Sequence, residues 1–152
     1  NKETTEQLTD ELLSEDENKY HAFLILDVDC FKQINDIYGH AVGDIVLQKF
    51  GKLLKGTFRE GDILGRIGGD EFGVIMKNIQ TKDIAMKKAE ELLAKTQAYK
   101  IDELKGNNIS ISIGISTAPQ DGDCYMDLYK RADQALYQAK RSGKARVCNY
   151  FS

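Results

Sequence analysis

The stretch Ala22-Phe23-Leu24-Ile25-Leu26 is continuously apolar, short, and ends abruptly at Asp27-Val28-Asp29. A run of this kind reads as a strand buried on both faces, so structure must lie above and below it. Its terminal carboxylates then sit where a buried strand leaves the sheet, at an edge where sites tend to form. A second constraint is Gly68-Gly69-Asp70-Glu71-Phe72, set between Ile63-Leu64 and Val74-Ile75-Met76. Apolar pieces on both sides predict two strands, and adjacent glycines supply the positive φ values of a tight hairpin. Two neighbouring carboxylates can hold a hard divalent cation, and paired glycines let backbone approach a bulky anion. The hairpin is therefore either a plain solvated turn or a seat for a metal and a phosphate together.

The remaining pattern supplies the other layers. Residues 1 to 19 are polar, with Leu8, Leu12 and Leu13 at helical spacing, which predicts a short amphipathic helix running into the acidic loop Glu15-Asp16-Glu17-Asn18. Phe31 to Tyr38 reads as a brief helix closed by Gly39, and Val42, Ile45, Val46, Phe50, Leu53 and Leu54 mark a longer one ending near Gly56. Ile63 to Ile67 and Phe72 to Met76 form the hairpin, and Ala85, Met86, Ala89, Leu92, Leu93 and Thr96 give another helix. Ile109, Ile111, Ile113 and Ile115 alternate with small residues, the period of a strand with one covered face. Leu128, Ala132, Ala135, Leu136 and Ala139 mark the last helix, and Arg146-Val147-Cys148 a short terminal strand. The order β-α-α-β-β-α-β-α-β fits an α/β (α+β) sandwich with helices covering a mixed central sheet. In such a sheet Asp27, Asp29, Asp70 and Glu71 gather into one acidic corner, which calls for a cation.

Composition bounds the partners. At 152 residues, 41% hydrophobic and 30% charged, the chain suits one soluble domain. A net charge of -3 carries no basic surplus, which argues against a nucleic acid polymer. Cys30, Cys124 and Cys148 are odd in number and widely spaced, which predicts free thiols and a cytoplasmic setting. No apolar run nears the roughly 20 residues of a membrane span, so no membrane contact by this domain is expected. His40, beside Gly39, reads as a packing or turn residue.

Asp27-Val28-Asp29-Cys30-Phe31-Lys32-Gln33-Ile34-Asn35-Asp36, Tyr38-Gly39-His40, Gly43-Asp44 and Arg66 to Phe72 resemble the GGDEF-domain diguanylate cyclases. The likeness continues through Ser112-Ile113-Gly114-Ile115 and Arg131 to Lys140, so it covers almost the whole chain. It implies a nucleotide-cyclase or polymerase-palm-like fold that condenses two GTP into cyclic di-GMP, two domains meeting so that each presents one nucleotide. The metal ligands it implies are Asp27, the Val28 carbonyl, Asp70 and Glu71, holding two Mg²⁺ or Mn²⁺ ions. Asp70 and Glu71 are also its catalytic residues, Glu71 either binding metal or accepting the 3′-hydroxyl proton.

Substrate contacts carried by the resemblance are Cys30, Phe31, Lys32, Gly68, Gly69, Lys140 and Lys144 for the phosphates, and Asn35 with Asp44 for guanine. Guanine's N1-H and 2-amino donors suit a carboxylate, which adenine could not satisfy. Arg59-Glu60-Gly61-Asp62 matches the RxxD site at which many members bind their product, which acts as feedback inhibitor. Without the resemblance, Arg59 and Asp62 read as an exposed ion pair, and Lys140 and Lys144 as cations complementing a helix C-terminus. Two departures stand out. Asn1-Lys2 resembles the tail of the family's leading motif with lysine for arginine, so a fragment of a longer multidomain signalling protein is expected. Gly143-Lys144-Ala145 replaces glycine-arginine-asparagine, keeping the charge but losing the planar fork. The alternative expectation is a domain that does not turn over and senses cyclic di-GMP or GTP.

Overall fold

A computed structural model describes residues 1–15 and 19–151 of the chain. The elements are α1 (Lys2–Glu15), β1 (Tyr20–Val28), α2 (Phe31–Tyr38), α3 (His40–Thr57), β2 (Ile63–Arg66), β3 (Glu71–Ile79), α4 (Lys82–Ala98), a 3₁₀ turn (Asp102–Leu104), β4 (Ile111–Ala118), α5 (Tyr125–Arg141) and β5 (Val147–Asn149). This is the expected order, preceded by the expected amphipathic helix. Residues 16–18 of the expected acidic loop lie outside the described residues; Glu15 closes α1.

The apolar run became the centre of the sheet. The strands lie in the order β2-β3-β1-β4-β5, so β1 has neighbours on both sides. All pairs are antiparallel except β4 with β5. Even-numbered Ala22, Leu24 and Leu26 pack with Val46, Phe50 and Leu54 of α3 and Leu92 of α4. Odd-numbered Phe23 and Ile25 pack with Leu12 and Leu13 of α1 and with Leu128, Ala132 and Leu136 of α5. Side chains alternate along a strand, so a run apolar at every position can serve two cores at once. Phe23, Leu24, Ile25 and Leu26, all fully buried, each contribute roughly 1.5–3 kcal/mol by leaving water.

The strand at 109–115, expected with one covered face, instead spans Ile111–Ala118 and is buried at every position. Ser112, Gly114 and Ser116 are small because α5 lies directly on them. A Cβ at Gly114 would run into the Ala132 carbonyl oxygen and the Leu136 nitrogen, so the two backbones touch. The Ser116 hydroxyl meets the same helix, donating to the Leu128 carbonyl at 2.8 Å. Helix α1 fixes the other end of α5, since Asp10 Oδ1 accepts from the Tyr125 amide at 2.8 Å and so caps the helix start. Strand β3 also runs further than Met76, to Ile79, where Asn78 takes a positive φ and donates its amide to His21 Nδ1 at 3.0 Å.

Gly114→Ala should be among the most damaging single-methyl additions in the chain. Overpacking of a core costs about 1–3 kcal/mol when side chains can adjust, and here the obstacle is backbone. Urea unfolding followed by far-UV circular dichroism should show a loss of at least about 2 kcal/mol; an unchanged midpoint would remove the close contact.

Candidate active site at the end of the central strand

Strand register builds the acidic corner. Asp27 stands opposite Glu71 of β3 on one side and opposite Ser112 of β4 on the other. Directly opposed residues share a face of the sheet, here the face covered by α5. Lys140, near the end of α5, reaches Asp27 Oδ2 and forms an ion pair with it. Asp27 is 7% exposed, and its buried Oδ1 accepts no hydrogen bond among the described residues.

The connection from β2 to β3 completes the corner, though not as the glycines suggest. Neither Gly68 nor Gly69 takes a left-handed conformation. The amides of Ile67 and Gly68 donate to the Glu71 carbonyl at 2.9 and 3.2 Å, and Arg66 Nε donates to the Gly69 carbonyl at 3.0 Å. Hydrogen bonds from the exposed Arg66 side chain to the Gly68 and Gly69 carbonyls hold this loop, in place of the tight turn that positive φ would allow. Gly69 instead leaves open space, since a Cβ there would meet nothing within 4 Å. The Asp70 carbonyl accepts from the Val28 amide at 3.4 Å, which joins the loop to the exit of β1.

Asp29 stands beside the corner, where its charge acts on Lys140, but its carboxylate is already engaged. Its carboxylate is buried and accepts from Ser112 Oγ at 2.6 Å through Oδ1, and from Ser110 Oγ at 2.6 Å and the Ala145 amide at 3.1 Å through Oδ2. With its oxygens so engaged it acts as a tie between segments. Glu71 is held differently. The Tyr129 hydroxyl donates to Glu71 Oε1 at 2.8 Å, a contact between residues 58 apart that no local pattern announces.

These positions perturb the charges. Burial foremost, then the neighbouring Asp70 carboxylate, pushes Asp27 from 3.8 up to about 7, against the opposing pull of Lys140. Burial is also the main cause raising Glu71, with Asp133 and Asp70 adding to it and the Tyr129 hydrogen bond opposing it. Burial depresses the Lys140 ammonium, but Asp27, Asp70 and Asp29 outweigh that and raise it. A buried carboxylate oxygen that accepts no hydrogen bond, beside further hard oxygen donors, fits a divalent cation. Val28 ends the same strand.

Of the expected phosphate contacts, Cys30 and Lys144 are brought together beyond the end of β1. Cys30 takes a left-handed conformation, φ 56, and precedes α2, whose first turn carries Phe31 and Lys32. The amides of Cys30, Phe31 and Lys32 donate to no acceptor among the described residues. Lys144 is brought alongside, its Nζ 3.2 Å from Cys30 Sγ. Lys140 instead faces Asp27, so its place here is as a counter-ion. On the other side of α2, Gly39 with φ 94 turns the chain straight into α3. The carboxamide of Asn35 then lies against the bare backbone of Gly43, where a Cβ would collide with Asn35 Oδ1. Exposed Asp44 is the next residue. Gly43 is thus a requirement of the Asn35 position, visible in the sequence only as a glycine beside Asp44.

Arg59 and Asp62 lie elsewhere, against Lys77, six residues or roughly 20 Å along β3 from Glu71. Asp62 is buried, its Oδ2 accepting from the Arg59 amide at 3.1 Å and its Oδ1 from the Lys77 amide at 3.0 Å. The Arg59 guanidinium is largely exposed, donating to Asp62 Oδ1 at 3.3 Å and to the Lys77 carbonyl. A groove of about 230 Å³ opens beside it, lined by Met76, Asn78, Ile79, Ile84 and Lys88 among others. The three cysteines are free.

An antiparallel-centred sheet under helices, with carboxylates where its middle strand and adjoining loop end, defines an α+β domain of the nucleotide-cyclase type. The family model described as diguanylate cyclase, GGDEF domain, matches residues 1–146, and the chain belongs to that family. Its members generally use a divalent metal. The chain is 40% identical over 127 residues to diguanylate cyclase A of Treponema denticola, covering 83% of this chain and 34% of that protein. It is also 40% identical over 127 residues to the response regulator PleD of Caulobacter vibrioides, covering 82% of this chain and 28% of that one. It therefore spans about a third or less of the length of these curated relatives.

Among solved structures, the GGDEF domain of TpbB from Pseudomonas aeruginosa superposes with a TM-score of 0.92 at 32% identity, covering 98% of this chain and 88% of that one. The active GGEEF domain of a diguanylate cyclase from Vibrio cholerae gives 0.93 at 29%, covering 100% and 97%. The GGDEF domain of DgcB from Caulobacter crescentus, in complex with c-di-GMP, gives 0.88 at 25%, covering 97% and 89%. No described helix is long and apolar enough to cross a membrane.

The raised Asp27 value has a stability signature. A carboxyl that holds its proton more tightly folded than unfolded opposes folding as pH rises, here from near 3.8 through about 7. Asp27→Asn removes that opposition at the expense of the Lys140 ion pair. In EDTA the variant should be the more stable protein near about pH 8, by on the order of 1 kcal/mol, and lose the advantage near about pH 5. Thermal melts that show the same difference at both pH values would contradict this.

Proposed function

We propose that the chain is the single catalytic domain of a longer cytoplasmic signalling protein and acts as a diguanylate cyclase. It joins two GTP into cyclic di-GMP with release of two pyrophosphates. The observation that carries the reading is the buried Oδ1 of Asp27, which accepts no hydrogen bond among the described residues, on a strand in register with Glu71. Names of relatives at 40% identity support it, as does an active GGEEF neighbour of the same fold.

In this reading Asp27, the Val28 carbonyl, Asp70 and Glu71 hold two Mg²⁺ or Mn²⁺ ions, which would stabilise the attacking and departing oxygens of an in-line displacement. The protein positions the reactants. The open loop at Gly68 and Gly69, the amides of Cys30, Phe31 and Lys32, and the ammonium of Lys144 hold the triphosphate. Lys140 turns from Asp27 to the phosphates when the corner's charge is met by cations. Asn35 and Asp44 read guanine, with Gly43 giving the carboxamide its place. The 3′-oxygen of one nucleotide bonds to the α-phosphorus of the other, pyrophosphate leaves, and the hydroxyl proton passes to an acceptor such as Glu71. One corner holds one GTP, so a second copy of the chain supplies the other, and the active form is a homodimer.

Product binding is assigned to the groove beside Arg59. The guanidinium is exposed, and by leaving the Lys77 carbonyl and Asp62 Oδ1 it would grip the O6 and N7 edge of guanine in a fork. Asp62 would accept from the base by releasing one of its two backbone donors. A cyclic di-GMP complex of a neighbour of the same fold supports a product site on such a domain.

The test is incubation of concentrated protein with GTP and Mg²⁺ and separation of the nucleotides. Cyclic di-GMP and pyrophosphate should form, and EDTA should stop them. Tight GTP binding with no cyclic dinucleotide would replace the cyclase by a sensor. Glu71→Gln should lower turnover by about 10²–10⁴ with the fold intact, and wild-type rates would remove Glu71 from the machinery. Arg59→Ala should raise the half-inhibiting concentration of cyclic di-GMP by about tenfold, the worth of a charge-assisted fork; unchanged inhibition would move the product site elsewhere.

A further inference from the structure

Tyr129 is unassigned by any motif read from the sequence, yet it makes a short side-chain hydrogen bond to the acidic corner. It lies on α5, where its ring packs in a tilted arrangement, its centroid 5.9 Å from that of Tyr125 and 6.4 Å from that of Phe23. Those two rings belong to the core between α5 and the sheet, so the Tyr129 ring has a fixed seat. From it the hydroxyl reaches Glu71 Oε1 at 2.8 Å. Among the described residues no hydrogen bond holds Glu71 Oε2. A half-buried glutamate on a strand end has three rotatable side-chain bonds, and one hydrogen bond from a seated phenol removes most of that freedom. The oxygen left over is on the same face as Asp27, directly across the strand pair.

We propose that Tyr129 is a positioning residue for the cyclase site: its phenol holds one oxygen of Glu71 and so presents the other to a divalent cation beside Asp27. This rests on the cyclase reading for its place in a reaction, though its geometry does not. Two features make the role specific. Helix α5 also carries Lys140, so the residue that pairs with Asp27 and the residue that orients Glu71 are on one rigid element seated on β4 at Gly114. Phenylalanine could fill the aromatic seat equally well, so the hydroxyl contributes through Glu71 alone.

Tyr129→Phe keeps the ring and deletes the donor, and Tyr129→Leu deletes both and serves as the packing control. Mn²⁺ binding to the whole chain, titrated by electron paramagnetic resonance with a non-hydrolysable GTP analogue present, reads the cation directly. Tyr129→Phe should melt like the wild type yet bind Mn²⁺ about tenfold more weakly, the scale of one hydrogen bond to a charged group. Its kcat should fall by a similar factor while KM for GTP stays within about twofold. In a Glu71→Gln background the same change should leave Mn²⁺ affinity where Glu71→Gln alone puts it, because the two residues act as one unit. Wild-type Mn²⁺ affinity in Tyr129→Phe overturns the proposal, as does a loss equal in both backgrounds. If the wild-type protein makes no cyclic dinucleotide, the cyclase reading fails, and the Mn²⁺ titration still decides the role of Tyr129.

Discussion

The contact on which the site depends is the backbone approach of α5 to β4 at Gly114. Strand β1 carries Asp27, but the groups that act on the acidic corner from above, Lys140 and Tyr129, come from α5. A helix resting on side chains can shift by a rotamer; a helix whose carbonyl and amide atoms meet strand backbone has no such slack. The small residues Ser112, Gly114 and Ser116 that allow this approach lie on the face that also carries Asp27. Packing and chemistry thus draw on one choice, small side chains along one side of β4.

The corner concentrates acid where burial makes acid costly. Asp27 is driven to about 7 although an ammonium faces it, which means that Lys140 offsets only part of the penalty. Residual cost of this kind is what a bound cation removes. The fold is accordingly less stable than it could be at the place where it is most specialised, a common trade between stability and function. Asp29, two residues on, shows the opposite arrangement, with hydroxyl and amide donors around both oxygens.

How much was legible in the sequence follows from how local each signal is. Strand β1, the helices, the hairpin strands and the placement of Asp27 beside Asp70 and Glu71 all came from runs and periods a few residues long. Asn35 and Asp44 came from resemblance, and the structure adds that Gly43 makes room between them. What the sequence hid lies in contacts between distant segments. Asp29 looked like a fourth acid of the corner because its partners stand 81, 83 and 116 residues away. Tyr129 and Lys140 act across 58 and 113 residues. The turn misled for a different reason, since paired glycines permit positive φ but do not require it, and hydrogen bonds from the Arg66 side chain hold the loop instead. Strand β4 misled because small residues read as a wet face when they were the seat of a helix.

Asp29 Oδ2 takes both the Ser110 hydroxyl and the Ala145 amide, so the exit of β1, the approach to β4 and the turn after α5 meet at one atom. Strand β5 begins two residues after Ala145. One carboxylate oxygen thus serves as the common anchor of three segments far apart in the chain, and the turn that leads into β5 is moored to the same short stretch that carries Asp27.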